Sequence, residues 1–396
     1  MADENVDILI SGGGIAGLVA AAAFGHLGYS VLIADPAPDE PDTGNMDLRS
    51  TAFLHPARTL LDQIGLWDTL APHTTPLNSL RVVDSHGWPP EIREVRVFEA
   101  SDLDTPSFGW NLPNTRTRAE LLRYIAKQPN IQRVGFGFQT MLTRTSEAIV
   151  TLSNGTRYRA KLVIGADGRA SPVRHAAGIT AETYRYGQKA LAFSATHGLP
   201  HDHVSTEIYN EGGAFTTVPL PDHNGQPASA IVWMNPGPRA QALAALPEPE
   251  FNAEMSARAC DLLGPMKRVG PLNIWPVITQ RATHLTAERT ALIAEAAHVL
   301  PPIGAQGLNT SLHDIAALYD LMKSGADALG TPQQLEMYSK IRTRDIARRV
   351  RAIDAFNRIC RSGQPAIQAM RSAGLSAIHG LSPLRHSVMK AGLGPR

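Results

Sequence analysis

Cysteine is nearly absent from this chain: Cys260 and Cys360 are the two in 396 residues. Two thiols far apart in sequence cannot make a disulfide framework or a four-ligand zinc site, and they read as reduced structural thiols. An excess of one charge is also missing. Lys and Arg number 37 against 36 Asp and Glu, for a formal net charge of +1. That balance gives no global case for nucleic acid. No uninterrupted apolar run reaches the roughly 20 residues that cross a bilayer. Met1 to Asp7 carries three acids and no base, the wrong start for a secretory signal, so a cytoplasmic protein is expected. No Gly-x-Ser-x-Gly elbow and no His/Cys/carboxylate cluster with metal-ligand spacing occurs, so neither a hydrolase nucleophile nor a metal centre is expected. The length predicts two or three packed units.

What the chain does have is glycine at strand ends. Val6 to Ser11 predicts a buried strand, Ile15 to Leu27 an alanine-rich helix, and Ser30 to Ala34 a second strand. Between the first two lies Gly12-Gly13-Gly14-Ile15-Ala16-Gly17, a G-x-G-x-x-G. Gly12 permits a tight turn, Gly14 lets the backbone approach a pyrophosphate, and Gly17 allows close helix–sheet packing. Ile15 and Ala16 open a helix whose free N–H groups and dipole favour an anion. Asp35, at the end of the second strand, can accept hydrogen bonds from ribose hydroxyls. This unit alone does not separate NAD from FAD. Two later segments do. Gly165-Ala166-Asp167-Gly168 through Arg174 follows a hydrophobic strand. Leu292 to His298 follows another and continues into Pro302-Ile303-Gly304-Ala305-Gln306-Gly307-Leu308-Asn309. A simple dehydrogenase does not need two more such turns, whereas a long flavin cofactor needs their backbone donors.

Elsewhere, helices are expected over Thr51–Leu61, Thr117–Lys127, Glu250–Leu263 and Leu308–Lys323. Strands are expected over Leu80–Ser85, Val95–Phe98, Lys161–Ile164 and Thr290–Ala294, with a hairpin turning at Ser153-Asn154-Gly155. Ala190 to Trp233 predicts a mainly antiparallel sheet, and Pro236 to Pro249 a connection. From Lys340 the chain is helical and basic, and Ile346, Val350, Ile353 and Phe356 form one apolar stripe.

The three glycine segments resemble, in order and spacing, the three fingerprints of class A flavoprotein monooxygenases. Ala296-Ala297-His298 with Pro302, Gln306-Gly307 and Asn309 is similar to the pattern of the UbiH/UbiF-type ubiquinone-biosynthesis hydroxylases. Asp47-Leu48-Arg49 and Ile64-Gly65-Leu66-Trp67 resemble their early arginine segment and the helix end after it. The resemblance implies a p-hydroxybenzoate hydroxylase-like α/β fold: a Rossmann-like FAD-binding domain, an inserted mainly antiparallel substrate domain and a helical C-terminus. The FAD-binding part would take 1–75, 111–185 and 281–335, the substrate part 76–110 and 186–280, and the basic C-terminal region 336–396.

The same resemblance assigns Gly12, Gly14, Ile15, Ala16 and Gly17 to the FAD pyrophosphate and Asp35 to the adenosine ribose. Arg49 would lie near the isoalloxazine or ribityl chain, and Asp167 and Gly168 would hold FAD and shape the approach of NAD(P)H. Glu295, Pro302, Gly304, Gln306, Gly307, Leu308 and Asn309 would complete the flavin site, with Arg118 or Arg116 as a further contact. The family's Gly-Asp pair stands here as Ala294-Glu295. His298 belongs to the flavin-binding turn and is a weak candidate for a base. The implied reaction is NAD(P)H- and O₂-dependent hydroxylation of a polyprenylated phenol through a flavin C(4a)-hydroperoxide. No protein nucleophile is expected in it. Contact with a membrane face and association with other ubiquinone-synthesis proteins are the implied partnerships. Two alternatives are another aromatic substrate and a non-catalytic flavoprotein scaffold. A flavin halogenase should show Trp-x-Trp-x-Ile-Pro, and only Ile274-Trp275-Pro276 is present.

Overall fold

The computed structural model describes residues 4–39 and 49–392, so Asp47, Leu48 and most of a polar loop expected over Asp39–Asp47 lie outside the described residues. β1 (Glu4–Ser11), α1 (Ile15–His26) and β2 (Val31–Ala34) form the N-terminal unit, and β3 (Ser50–Leu54) runs into α2 (His55–Gln63) and α3 (Trp67–Leu70). β4 (Thr75–Leu77), β5 (Ser79–His86), β6 (Glu91–Glu99) and β7 (Gly109–Pro113) lead to α4 (Asn114–Ile125). β8 (Ile131–Val134), β9 (Phe138–Thr143), β10 (Ala148–Leu152) and β11 (Arg157–Gly165) precede α5 (Pro172–Ala176). β12 (Ala181–His197), β13 (Val204–Asn210), β14 (Gly213–His223) and β15 (Gln226–Pro236) are followed by α6 (Gly237–Ala244), α7 (Glu248–Arg258) and β16 (Met266–Ala282). β17 (Thr286–Ala287), β18 (Thr290–Leu292), α8 (Ala294–Ala297) and β19 (His298–Val299) lead to α9 (Gln306–Met322), α10 (Pro332–Cys360), α11 (Pro365–Gly380) and α12 (Ser382–Gly392).

Among the described residues these strands make three sheets. The first runs β17-β18-β11-β1-β2-β8, with β10 and β9 joined to β11. Ile8, Leu9, Ile10, Leu32, Ile33, Leu162, Val163 and Ile164 at its parallel centre have no exposed surface. Residues buried on both faces of a strand are what helices covering a parallel sheet produce. The second sheet runs β19-β16-β12-β15-β14-β13-β5-β6 and is antiparallel except where β13 meets β5. One of its faces, with Leu191, Phe193, Phe215, Ile231 and Trp233, is sealed by Ala240 and Leu243 of α6 and Phe251 and Met255 of α7. A small sheet, β3-β7-β4, bridges the two.

Three expectations need correction, and one long strand was not foreseen. The helix expected over Thr51–Leu61 is half strand: Ser50 to Leu54 pairs with β7, and the helix begins at His55 with Pro56 in its first turn. The strand expected over Lys161–Ile164 begins at Arg157: it and the return arm of the hairpin are one strand, β11, antiparallel to β10 and parallel to β1. The connection expected over Pro236–Pro249 holds α6. The 17-residue β16 was not foreseen; it holds Gly270, Pro271 and Pro276, residue types that usually end strands. Its register with β12 shifts at two places around those residues, so bulges absorb them.

The apolar stripe of α10 turns inward. Ile346 and Ile353 are buried, Val350 packs on the main core, and Phe356 sits edge-on to Tyr209, with ring centroids 5.4 Å apart. The fastening of α10 is ionic. Asp314 of α9 is fully buried and accepts from Arg342 Nε at 2.8 Å and from the Ala294 N–H at 3.0 Å, with His298 Nε2 at 2.7 Å. Arg342 also holds Asp345 at 2.6 Å. Burial raises the Asp345 pKa, but Arg342 and Arg349 outweigh it and bring the carboxyl down to about 2. A depressed folded-state pKa stabilises above the ordinary 3.8 and loses that contribution as pH falls toward 2. Acid unfolding should therefore steepen in that window. Arg342→Met, which leaves Asp314 buried without its cation, should cost about 3–5 kcal/mol in urea unfolding at neutral pH. A cost under about 1 kcal/mol would contradict this role.

Candidate active site

The site begins with one row of the first sheet. Leu292, Gly165, Ser11 and Ala34 are register partners, side by side at the C-terminal edge. The next N–H of each chain extends the ladder: Gly12 to Ala34 O at 2.9 Å, Ala166 to Ser11 O at 2.8 Å, and Ile293 to Gly165 O at 3.0 Å. Three turns distant in sequence therefore leave the sheet together, at the place where open α/β sheets bind ligands. Gly12 has φ 108°, and a Cβ there would strike the Ala166 carbonyl. A Cβ on Gly17 would strike the Gly12 carbonyl. A Cβ on Gly14 would meet nothing within 4 Å, so this edge is open to a ligand.

Asp35 is buried beside the first turn, taking the Gly13 N–H on Oδ2 and the Ala37 N–H on Oδ1. The structure separates the two candidate arginines. Arg118 reaches the turn, with Nε 3.4 Å from Gly13 O and Nη1 2.9 Å from Asp39 O, and its Nη2 is buried without a partner. Arg116 points elsewhere, to His73 and to Glu120 at 2.9 Å. Asp167 takes Ser11 Oγ at 3.0 Å and the Val173 N–H at 3.2 Å on Oδ2, while Oδ1 is buried and unpartnered. Burial raises the Asp167 pKa against the hydrogen bonds of Ser171, Val173 and Ser11. Arg174, a member of the second segment with no role foreseen, ties two turns together. It donates to Ala296 O and to Arg169 O, both at 2.9 Å.

In the third turn Ala294 adopts φ 54°, the left-handed region that disfavours a Cβ, and its N–H is fixed by Asp314. The Glu295 side chain is 43% exposed and lies 3.4 Å from Arg169. Pro302 and Gly307 are exposed, and Ala305, also left-handed, precedes the first turn of α9. A Cβ on Gly307 would meet nothing within 4 Å, so the N-terminus of α9, with Leu308 behind it, opens outward. Gln306 is held by Arg349 at 2.9 Å. Asn309 is a clamp: it accepts the Leu54 N–H at 3.0 Å and donates to Ala52 O and Ala305 O at 2.7 Å. His298 is buried on Asp314, and that geometry supports a structural role over a base.

The second sheet presents its uncovered face to this loop. Across it Val82, Glu207, Thr216, Val232, Ala192 and Asn273 are successive register partners. Thr216 and Val232 are only half-buried although they lie on central strands. Their partial exposure leaves an open hollow in this face, lined by polar as well as apolar side chains. Arg49 and Trp275 face each other at its side, the guanidinium carbon 5.5 Å from the ring centroid. Motif reading missed Asp314, Arg174 and Glu207, because their partners are assembled only by the fold.

An extended dinucleotide fits these residues. The open edge at Gly14, the orphaned Arg118 Nη2 and Asp167 Oδ1, and the outward α9 N-terminus are unused donors and acceptors along the three turns. No group of three or more His, Cys, Asp or Glu residues able to hold a metal occurs among the described residues.

Comparison with known proteins agrees. Residues 5–352 match the family model described as FAD binding domain. The chain is 32% identical to ubiquinone hydroxylase UbiL of Rhodospirillum rubrum over 99% of this chain and 90% of that one. It is 28% identical to 3-demethoxyubiquinol 3-hydroxylase of Escherichia coli, covering 100% of both. The solved p-nitrophenol 4-monooxygenase PnpA of Pseudomonas putida shares the fold, with a TM-score of 0.81, 18% identity, 99% of this chain and 100% of that one.

Two substitutions test the turns in opposite directions. Gly12→Ala should destabilise the chain by about 1–3 kcal/mol and abolish retained flavin. Ala294→Gly should raise unfolding stability by up to about 1 kcal/mol, since it removes a left-handed Cβ. A destabilised Ala294→Gly protein would contradict the assignment of strain there.

Proposed function

This chain belongs to the FAD-dependent aromatic monooxygenases of the FAD binding domain family, and we propose that it hydroxylates the ring of a prenylated phenol in ubiquinone synthesis. The observation that carries the reading is the side-by-side departure of three strand-end turns from one sheet edge, with a half-exposed stretch of the second sheet at Thr216 and Val232. When bound, FAD supplies the redox and oxygen chemistry, with NAD(P)H as reductant and O₂ as co-substrate. The chain supplies position, electrostatics and dryness.

Gly12, Gly14 and the first turn of α1 take the pyrophosphate, Asp35 the ribose, and Arg118 a phosphate or ribose oxygen through its unpartnered Nη2. Asp167 Oδ1 accepts from the ribityl region, and Gly168 leaves room for it. Glu295 is close enough to this edge to share in that contact. The α9 N-terminus stabilises negative charge on the ring. The hollow bounded by Thr216, Val232 and Ala192 holds the aromatic substrate and keeps water from the reacting atoms.

A prenylated substrate partitions into lipid, which favours contact with a membrane face. Among the described residues no helix is long and apolar enough to cross a membrane. Ile346, Val350 and Ile353 of the α10 stripe pack inward, so the support for lipid contact is drawn from the exposed apolar side chains of the segment that follows, α11 and α12. Met370, Leu381, Leu384 and Val388 are 73%, 58%, 39% and 42% exposed, with Lys390 nearby in sequence. Association with other proteins of the pathway is the companion proposal.

Purified protein should oxidise NAD(P)H faster when a prenylated phenol is added and should release a hydroxylated product carrying one oxygen from O₂. Bound flavin with no turnover on any phenol would favour a scaffold instead. Changing Met370, Leu381, Leu384 and Val388 together to serine should abolish flotation with anionic vesicles while flavin content holds. Undiminished flotation would remove the membrane proposal.

A further inference from the structure

We propose that Glu207 is a catalytic residue that receives the hydroxyl of the aromatic substrate and takes its proton. The proposal rests on the monooxygenase reading above and assigns a role within it. Glu207 is the one carboxylate in the sheet row that forms the wall of the hollow. Its direct partner Thr216 and the next residue, Val232, are half-buried, while Glu207 itself is 8% exposed. Tyr209, two residues along the same face of β13, donates its hydroxyl to Glu207 Oε2. The backbone N–H of Gly304, from the loop that opens α9, lies near enough to lower the proton affinity of the same carboxylate. An ionisable acid thus sits where the sheet wall meets the flavin-facing loop.

Two observations separate this from a structural role. Glu207 only accepts from Tyr209, and a glutamine amide oxygen would accept that bond without burying an acid. Nor does any lysine or arginine form an ion pair with it among the described residues. A buried carboxylate without a cation carries a desolvation cost and a raised proton affinity. Burial indeed pushes its pKa above the ordinary 4.5, against the hydrogen bonds from Tyr209 and Gly304. A carboxylate of raised basicity in a dry wall is suited to draw a proton from a phenol.

The step balances simply. The phenolic O–H bond breaks, its proton joins a carboxylate lone pair, and the electron pair stays on the phenolate oxygen. Nothing is oxidised or reduced, and the ring becomes more electron-rich for oxygen insertion. The proton then returns to that oxygen. The other titratable or charged groups around Glu207 are Tyr209, Cys360 of α10, and the Asp84–Arg371 ion pair between β5 and α11. Buried Tyr209 is raised well above 10, and Cys360 is raised by burial, so neither ionises in the window of interest.

The test uses Glu207→Gln and Tyr209→Phe holoenzymes with 4-nitrophenol as the binding probe. Wild-type protein at mildly acidic pH should bring up the nitrophenolate band on binding, and Glu207→Gln should bind with that band missing. Turnover of a phenol should fall at least about a hundredfold in Glu207→Gln, with KM nearly unchanged and the acid limb of the kcat profile gone. Tyr209→Phe removes a donor that lowers the Glu207 pKa, so its acid limb should move to higher pH. A full nitrophenolate band and an unchanged acid limb in Glu207→Gln would overturn the proposal. Should Glu207→Gln lose its flavin, an unmoved limb in Tyr209→Phe overturns it instead. The nitrophenol spectrum needs no turnover, so failure of the monooxygenase reading and failure of the Glu207 role remain distinguishable.

Discussion

Everything in the site depends on the close approach of three backbones at one sheet edge. Ser11, Gly165 and Leu292 stand in a single row, so the turns that follow them open toward the same space. That approach tolerates no Cβ at Gly12 or Gly17, where each would meet a carbonyl. It is then fastened by side chains from outside the turns. Arg174 ties the second turn to the third, and Asp314 holds the Ala294 N–H together with His298 and Arg342. Long α10 is thereby part of the cofactor scaffold, although it contributes no glycine motif.

The second sheet has two faces with different work. One is closed by α6 and α7 over Phe193, Phe215 and Trp233. The other is covered in part by Tyr209, Met234 and Cys360 and stays half-exposed at Thr216 and Val232. Such a wall suits a reaction whose hard chemistry resides in the cofactor. Asn309 connects this hollow to the small sheet by bonds to Ala52 and Leu54, and sets the position of the α9 N-terminus.

The glycine turns were legible because their demands are local: a positive φ, a close carbonyl, a helix start. Their flanking strands and helices were legible for the same reason. β3 was not, because its pairing partner β7 lies far along the chain and α2 follows it without a break. β16 was not, because bulges accommodate prolines that usually end strands. Arg116 and Arg118 could not be separated by motif. Two positions on a helix point to opposite sides, and only the packed orientation of α4 sends Arg118 to Gly13. Asp314 and Glu207 carry no motif at all: each acquires its meaning from residues that reach it through tertiary packing.

The most direct measurement is the stoichiometry of flavin in the purified, folded chain, by absorbance and by mass analysis of the released cofactor. Convergence of the three turns on one extended ligand requires a yellow protein with one FAD per chain. A folded, colourless protein that takes up no added FAD would contradict it.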